Sequence, residues 1–113
     1  MVFTGMREPS FLVLTTLAEG PQHGYAVMKS VEELSGGSVQ LRPGSLYATL
    51  DRLADAGLIR EAGDEVVDGR ARRYYELTSL GAERLGAEIH RMKSNASRAE
   101  ARLRKFRSNK AMS

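Results

Sequence analysis

Four arginines are the side chains best equipped for chemistry in this sequence: Arg52 on a helical stretch, and Arg70, Arg72 and Arg73 beside a turn. A guanidinium stays charged and presents donors in a fork that matches phosphate oxygens or the edge of a guanine. Arg52 lies within RPGSLYATLDRLADAGLIR, residues 42–60, where leucines line one face and Ser45, Ala48, Thr49 and Arg52 lie on or beside the other. Small side chains let a helix approach base edges closely. Ser45 and Tyr47 can also donate hydroxyls to phosphate. The bland alternative is a solvated helix face with one buried tyrosine. For the turn, the alternative is a mixed surface, since Asp64, Glu65 and Asp68 accompany the arginines and exposed pairs are worth little.

Other chemistries lack their residues. The absence of cysteine excludes disulfides, thiolate metal sites and cysteine nucleophiles. His23 and His90 are far apart and have no partner at ligand spacing, so neither a metal site nor a cofactor is expected. No glycine-rich phosphate loop or nucleophile motif occurs, and no catalytic residue is expected. The start of the chain lacks a charged-then-apolar signal pattern, and no apolar run approaches the roughly 18 residues that span a bilayer. The expectation is a soluble, cytoplasmic protein without a membrane partner. The net charge of +3 on 113 residues says less than the distribution of charge.

The elements that must position these residues follow from pattern. Residues 1–8 form a short arm. A first helix begins near Pro9 and carries Phe11, Leu14, Leu17 and Ala18 on one face. A second follows His23-Gly24, with Val27, Met28, Val31 and Leu34 apolar, and ends at Ser35-Gly36-Gly37. Tyr25 and Lys29 lie four residues apart near its start. Val39 and Leu41 alternate with polar neighbours, which predicts a short strand. Pro43 and Gly44 suit the first turn of a third helix, with Ser45 able to satisfy its free N–H groups and Gly57 stopping it. Asp68-Gly69 predicts a hairpin turn between two strands, with a bulge at Gly63. On the returning strand Tyr75 and Leu77 share a face and Tyr74 points the other way.

From Thr78, a candidate cap, to Phe106 the pattern is helical. Leu85, Ile89, Met92, Ala96, Ala99, Leu103 and Phe106 recur in steps of four and three, a heptad seam. The seam is longer than one small domain can cover, and the two alanines permit close approach of another helix, so it is expected to form a homodimer. Arg98, Arg102, Arg104, Lys105, Arg107 and Lys110 flank its far end as a solvated face, and RSNKAMS is a frayed tail. The fold class is thus mainly α with a small β-hairpin wing: a winged helix-turn-helix over 1–79 and a C-terminal dimerisation helix with tail over 80–113. In that arrangement the third helix fits a B-DNA major groove of about 12 Å.

Three segments carry a resemblance: HGYAVMKSV at 23–31, RPGSLYATLDRLADAGLI at 42–59 and GRARRYYELTSLG at 69–81. Together, in this order, they resemble the PadR family of bacterial transcriptional regulators, of the short type with a single C-terminal helix. Ala48 stands where a proline often follows the tyrosine of the third-helix motif. The resemblance implies a dimeric, winged-helix repressor of palindromic operators, released by a small-molecule effector. It also implies that Tyr25 and Lys29, at the start of the second helix, meet the DNA backbone, although a core position for Tyr25 remains open. Residues expected at DNA are therefore Tyr25, Lys29, Ser45, Tyr47, Ala48, Arg52, Arg70, Arg72 and Arg73. Arg73 shares a face with Tyr75 and can instead cover the edge of the core. Some short members hold flat aromatic drugs between tryptophans at the dimer interface, and this chain has no tryptophan. A pocket formed from Phe11, Met92 or Phe106 is the remaining option. The alternatives are a winged-helix module for protein partners, a regulator without an effector, a metal sensor and, least supported by the residues, an enzyme.

Overall fold

The computed structural model describes residues 5–112. Seven elements follow in order: α1 (Glu8–Leu17), β1 (Gln22–His23), α2 (Gly24–Leu34), α3 (Pro43–Asp55), β2 (Ile59–Val67), β3 (Arg70–Leu77) and α4 (Ser79–Met112). The fold is mainly helical with a small antiparallel sheet in the order β1-β3-β2. Residues 1–4, half of the expected N-terminal arm, and Ser113 lie outside the described residues.

The apolar stripes meet where their spacing directs them. Leu14 and Leu17 of α1, Val27 and Val31 of α2, and Leu46 and Leu50 of α3 are almost wholly buried in one core. Burying each such leucine contributes about 1.5–3 kcal/mol. Leu34, expected on the apolar face of α2, is instead exposed at the last turn of that helix.

The stop after α3 sets the angle of everything that follows. Gly57 has φ +77, its N–H donates to the Ala54 carbonyl at 2.9 Å, and the Leu58 N–H donates to the Leu53 carbonyl at 2.9 Å. A left-handed residue closing two such bonds is a Schellman turn, and it drops Leu58 into the core. The hairpin tip is as expected: Asp68 (φ 52) and Gly69 (φ 75) occupy the two central turn positions. The register of β2 against β3 slips between Glu61 and Asp64, which places the bulge at Gly63.

One expectation fails at β-structure and one at the tail. No strand forms at Val39 and Leu41. The Ser35 hydroxyl accepts from the Val39 N–H at 3.0 Å and lies 3.2 Å from its carbonyl, so this backbone is satisfied locally and has no need of a ladder. The third strand is instead β1, whose Gln22 and His23 pair with Tyr75 and Tyr74. Two residues carry no alternation that a sequence could show. The tail is helical through Met112 rather than frayed from Arg107.

Thr78 starts α4 as expected. Its hydroxyl accepts from the Gly81 N–H at 3.0 Å and donates to the Gly57 carbonyl at 2.6 Å, tying the helix start to the α3 turn. Gly81 packs directly on the Leu58 carbonyl, leaving no room for a β-carbon. Beyond this anchor α4 runs back past α1. At 1.5 Å per residue its 34 residues reach about 50 Å, which accounts for a molecule measuring 69 × 32 × 22 Å.

Candidate nucleic-acid interface

The start of α2, the exposed face of α3 and strand β3 enclose an open cleft of about 380 Å³. It is lined by His23, Gly24, Tyr25, Tyr47, Arg70, Ala71, Arg72 and Arg73. Five of the nine residues expected at DNA, on three separate elements, therefore share one concavity. The close crossing of α2 and α3 makes this geometry. A β-carbon on Gly24 would stand 2.9 Å from the Tyr47 hydroxyl and 3.3 Å from Leu46, so the glycine leaves the Tyr47 ring its place against the start of α2.

Within the cleft the side chains divide by how firmly they are held. Tyr25 is 67 % exposed and Tyr47 48 %, so neither is the buried tyrosine; that is Tyr75, which closes the core beneath the wing. Arg73 reaches across the hairpin to Glu61 at 3.3 Å and Asp64 at 3.9 Å. Glu61, then the Tyr75 hydroxyl and Asp64, raise its already high pKa. Burial raises Tyr75. On the opposite face the Tyr74 hydroxyl donates to Glu65 at 2.6 Å, and this bond holds the phenol above its usual range. Glu61 and Asp64 are thereby engaged with Arg73 and Glu65 with Tyr74, while Arg70 makes no ion pair among the described residues.

The other expected residues do not line the cleft. Lys29, Ala48 and Arg52 are exposed on α2 and α3. Ser45 is exposed but engaged: its hydroxyl accepts from the Arg42 N–H at 3.0 Å and donates to the Arg42 carbonyl at 3.1 Å, bracing the first turn of α3. Thr49, placed by spacing on the polar side, is buried and donates to the Ser45 carbonyl at 2.9 Å. Sequence reasoning placed His23 only at the start of α2. Its Nδ1 accepts from the Ala26 N–H at 3.3 Å, which caps the helix, and its Nε2 lies 3.4 Å from Arg72 Nη1. A histidine just ahead of a helix start was the available signal.

The seam on α4 starts later than its spacing suggested. Leu85 is buried in the core of its own domain, because the first turns of α4 still lie against α1. From Ile89 on, the stripe faces outward: Ile89, Met92, Ala96, Ala99, Leu103 (44 % exposed) and Phe106 (61 %). Between them sits Glu88, a fully buried carboxylate that accepts from the Met6 N–H at 3.3 Å and pairs with Arg91. The Arg91 hydrogen bond outweighs burial and holds the Glu88 carboxyl below its usual range. Phe11 and Met92 meet beside this pair in a cleft of about 310 Å³, whereas Phe106 stands apart from it. No group of three metal-ligating side chains occurs among the described residues, and none of their helices is long and apolar enough to cross a membrane.

Residues 13–87 match the Transcriptional regulator PadR-like family, which takes in the core, the cleft and the wing. The chain belongs to the PadR family. Members are regulators of transcription rather than enzymes. Transcriptional regulator Rv3488 of Mycobacterium tuberculosis is 43 % identical over 70 residues, covering 61 % of each chain. A PadR family transcription regulator from Clostridium difficile superposes with a TM-score of 0.72 at 26 % identity, over 86 % of this chain and 99 % of that one. Bacillus subtilis PadR in complex with operator DNA shares the fold at a TM-score of 0.65 and 23 % identity, over 74 % of this chain and 47 % of that one. Against the curated relatives it matches, the chain spans from 23 % to 64 % of their length.

Proposed function

We propose that this PadR-family regulator is a homodimeric repressor that binds a palindromic DNA operator. The observation that carries the reading is the cleft, where Tyr25, Tyr47, Arg70 and Arg72 converge beside the exposed face of α3. Small residues on that face let α3 enter the major groove, with Arg52 reaching a guanine edge or phosphate and Ala48 leaving room for the bases. Lys29 and the wing arginines neutralise the backbone on either side. The kinship with a protein solved on its operator supports the same docking.

The unit formed by residues 1–79 does the reading, and 80–113 pairs the subunits. An outward apolar stripe on a helix of this length needs a cover, and a second copy offers the same stripe. The two-fold axis then sets the heads about 34–36 Å apart, one turn of B-DNA. A small apolar molecule seated by Phe11 and Met92, where α1 meets α4, acts by binding better when that spacing is wrong.

The test is genomic footprinting with the purified protein, followed by salt titration on the recovered site. Protected inverted repeats, and affinity falling steeply with salt, are the expected result. Equal affinity for the site and a scrambled duplex would overturn the reading, as would loss of the dimer at micromolar concentration.

A further inference from the structure

His23 faces more donors than it can accept. A neutral imidazole has one lone pair. The Ala26 N–H, 3.3 Å from Nδ1, uses it, since the first turn of α2 has no other side-chain cap. In the tautomer that keeps this cap, Nε2 carries the proton. Facing it at 3.4 Å is Nη1 of Arg72, a group with no acceptor in any state. Two N–H groups thus confront each other at the rim of the cleft, with no acceptor between them. The ring cannot turn away freely: Tyr74 meets it edge-on, 5.5 Å between centroids and 85° between planes, and Tyr74 is itself fixed by Glu65. Arg72, Tyr25 and Tyr47 line the cleft with the ring and Tyr74 touches it, while the nearby Glu65, opposite Arg72 on the hairpin, is bonded to Tyr74.

The pair lacks one thing, an anionic oxygen, and the two donors are close enough for a single phosphate group to accept from both. We propose that His23 is a DNA-phosphate ligand, its Nε2–H and the Arg72 guanidinium holding one backbone phosphate while Nδ1 keeps α2 capped. The assignment rests on the DNA-binding reading above and deepens it. It makes the cap of α2 and the grip of the wing two ends of one ring. The bond is charge-assisted by the phosphate.

The deciding variant is His23→Ser, which retains an N-cap oxygen but places no donor in the cleft. It is expected to bind the footprinted duplex about tenfold more weakly. Arg72→Ala is expected to weaken binding and to reduce its salt slope by about one. The double variant should lose less than the two single losses combined, since both act on one phosphate. Wild-type affinity in His23→Ser, alongside weakened Arg72→Ala, would overturn the assignment and leave the DNA-binding reading standing. Failure of the unmodified protein to bind any duplex would overturn that reading first. Imidazole ¹⁵N spectra of the wild-type complex decide the matter even if the serine variant folds poorly: a protonated Nε2 with a bare Nδ1 supports the assignment, and a bare Nε2 ends it.

Discussion

The winged domain and the outer two-thirds of α4 are built from similar residue types and end in opposite conditions. Leu50 and Leu103 are both helical leucines on apolar stripes; the first is wholly buried and the second is 44 % exposed. The domain covers its own stripes because three short helices and a sheet enclose one another. The rod covers only its first turns, against α1. Charge divides the same way. Six of the 17 lysines and arginines lie at or beyond Arg98, with Glu100 the sole acidic residue there. The remainder holds 11 basic and 13 acidic residues, so the part that bears the cleft is slightly acidic overall. The lesson is that local arrangement, with Arg73 and Tyr74 occupying the nearby carboxylates, makes a basic cleft where the sum of charges does not.

The comparison breaks most completely at Ile89→Asp. A carboxylate at the head of the outward stripe should give monomers by sedimentation and weaken operator binding more than a hundredfold, while the circular dichroism of the winged domain persists. A dimer that survives would place the interface elsewhere. Next in size is Leu50→Ala, expected to cost about 2–5 kcal/mol in chemical denaturation, because it opens a cavity in a closed core. Leu103→Ala makes the same chemical change on the rod. It should cost under about 0.5 kcal/mol in a dilute monomer and more as concentration rises, since the proposed cover is a second copy. Equal costs at all concentrations would erase the distinction.

Between these lies Glu88→Gln, at the junction of the two regions. It should cost about 1–2 kcal/mol near neutral pH, with allowance for the half-exposed Arg91 partner. The Glu88 carboxyl titrates below its usual value in the folded chain, so its contribution is complete above the ordinary carboxylate range and disappears as pH falls through the lowered folded value. The stability difference between variant and wild type should therefore vanish in strong acid. A gap that stays constant down to pH 2 would show that the carboxylate's charge is not what matters. The smallest effect expected is on Arg70→Ala with Arg72→Ala, read as a slope: the salt dependence of operator binding should flatten by about two, with stability unchanged.

Much of this architecture was legible in the residues. The helical spacing after Thr78, the Asp68-Gly69 turn and the Gly57 stop each have a local solution, and each took it. The winged-helix layout follows from their order. What escaped was whatever depends on contacts between distant segments. β1 exists only because β3 lies beside Gln22 and His23. Val39 and Leu41 have a strand's alternation, but Ser35 satisfied that backbone first. At the candidate interface the tyrosines and wing arginines were visible as residue types. That Ser45 is spent bracing its own helix, that Thr49 turns inward and that Leu85 belongs to the core are facts of packing density that spacing alone does not hold. His23 was visible as a helix starter and invisible as a neighbour of Arg72, 49 residues away.

The unbroken length of α4 has a mechanical consequence. A straight beam about 50 Å long, clamped at one end by Thr78 and Gly81, turns angle into distance. If two such beams cross near their middles, a tilt of about 10° sweeps each tip through about 4 Å. Shims as thin as one aromatic ring, slipped in beside Met92, would be enough to throw the fingers at either end out of step with the pitch of the duplex.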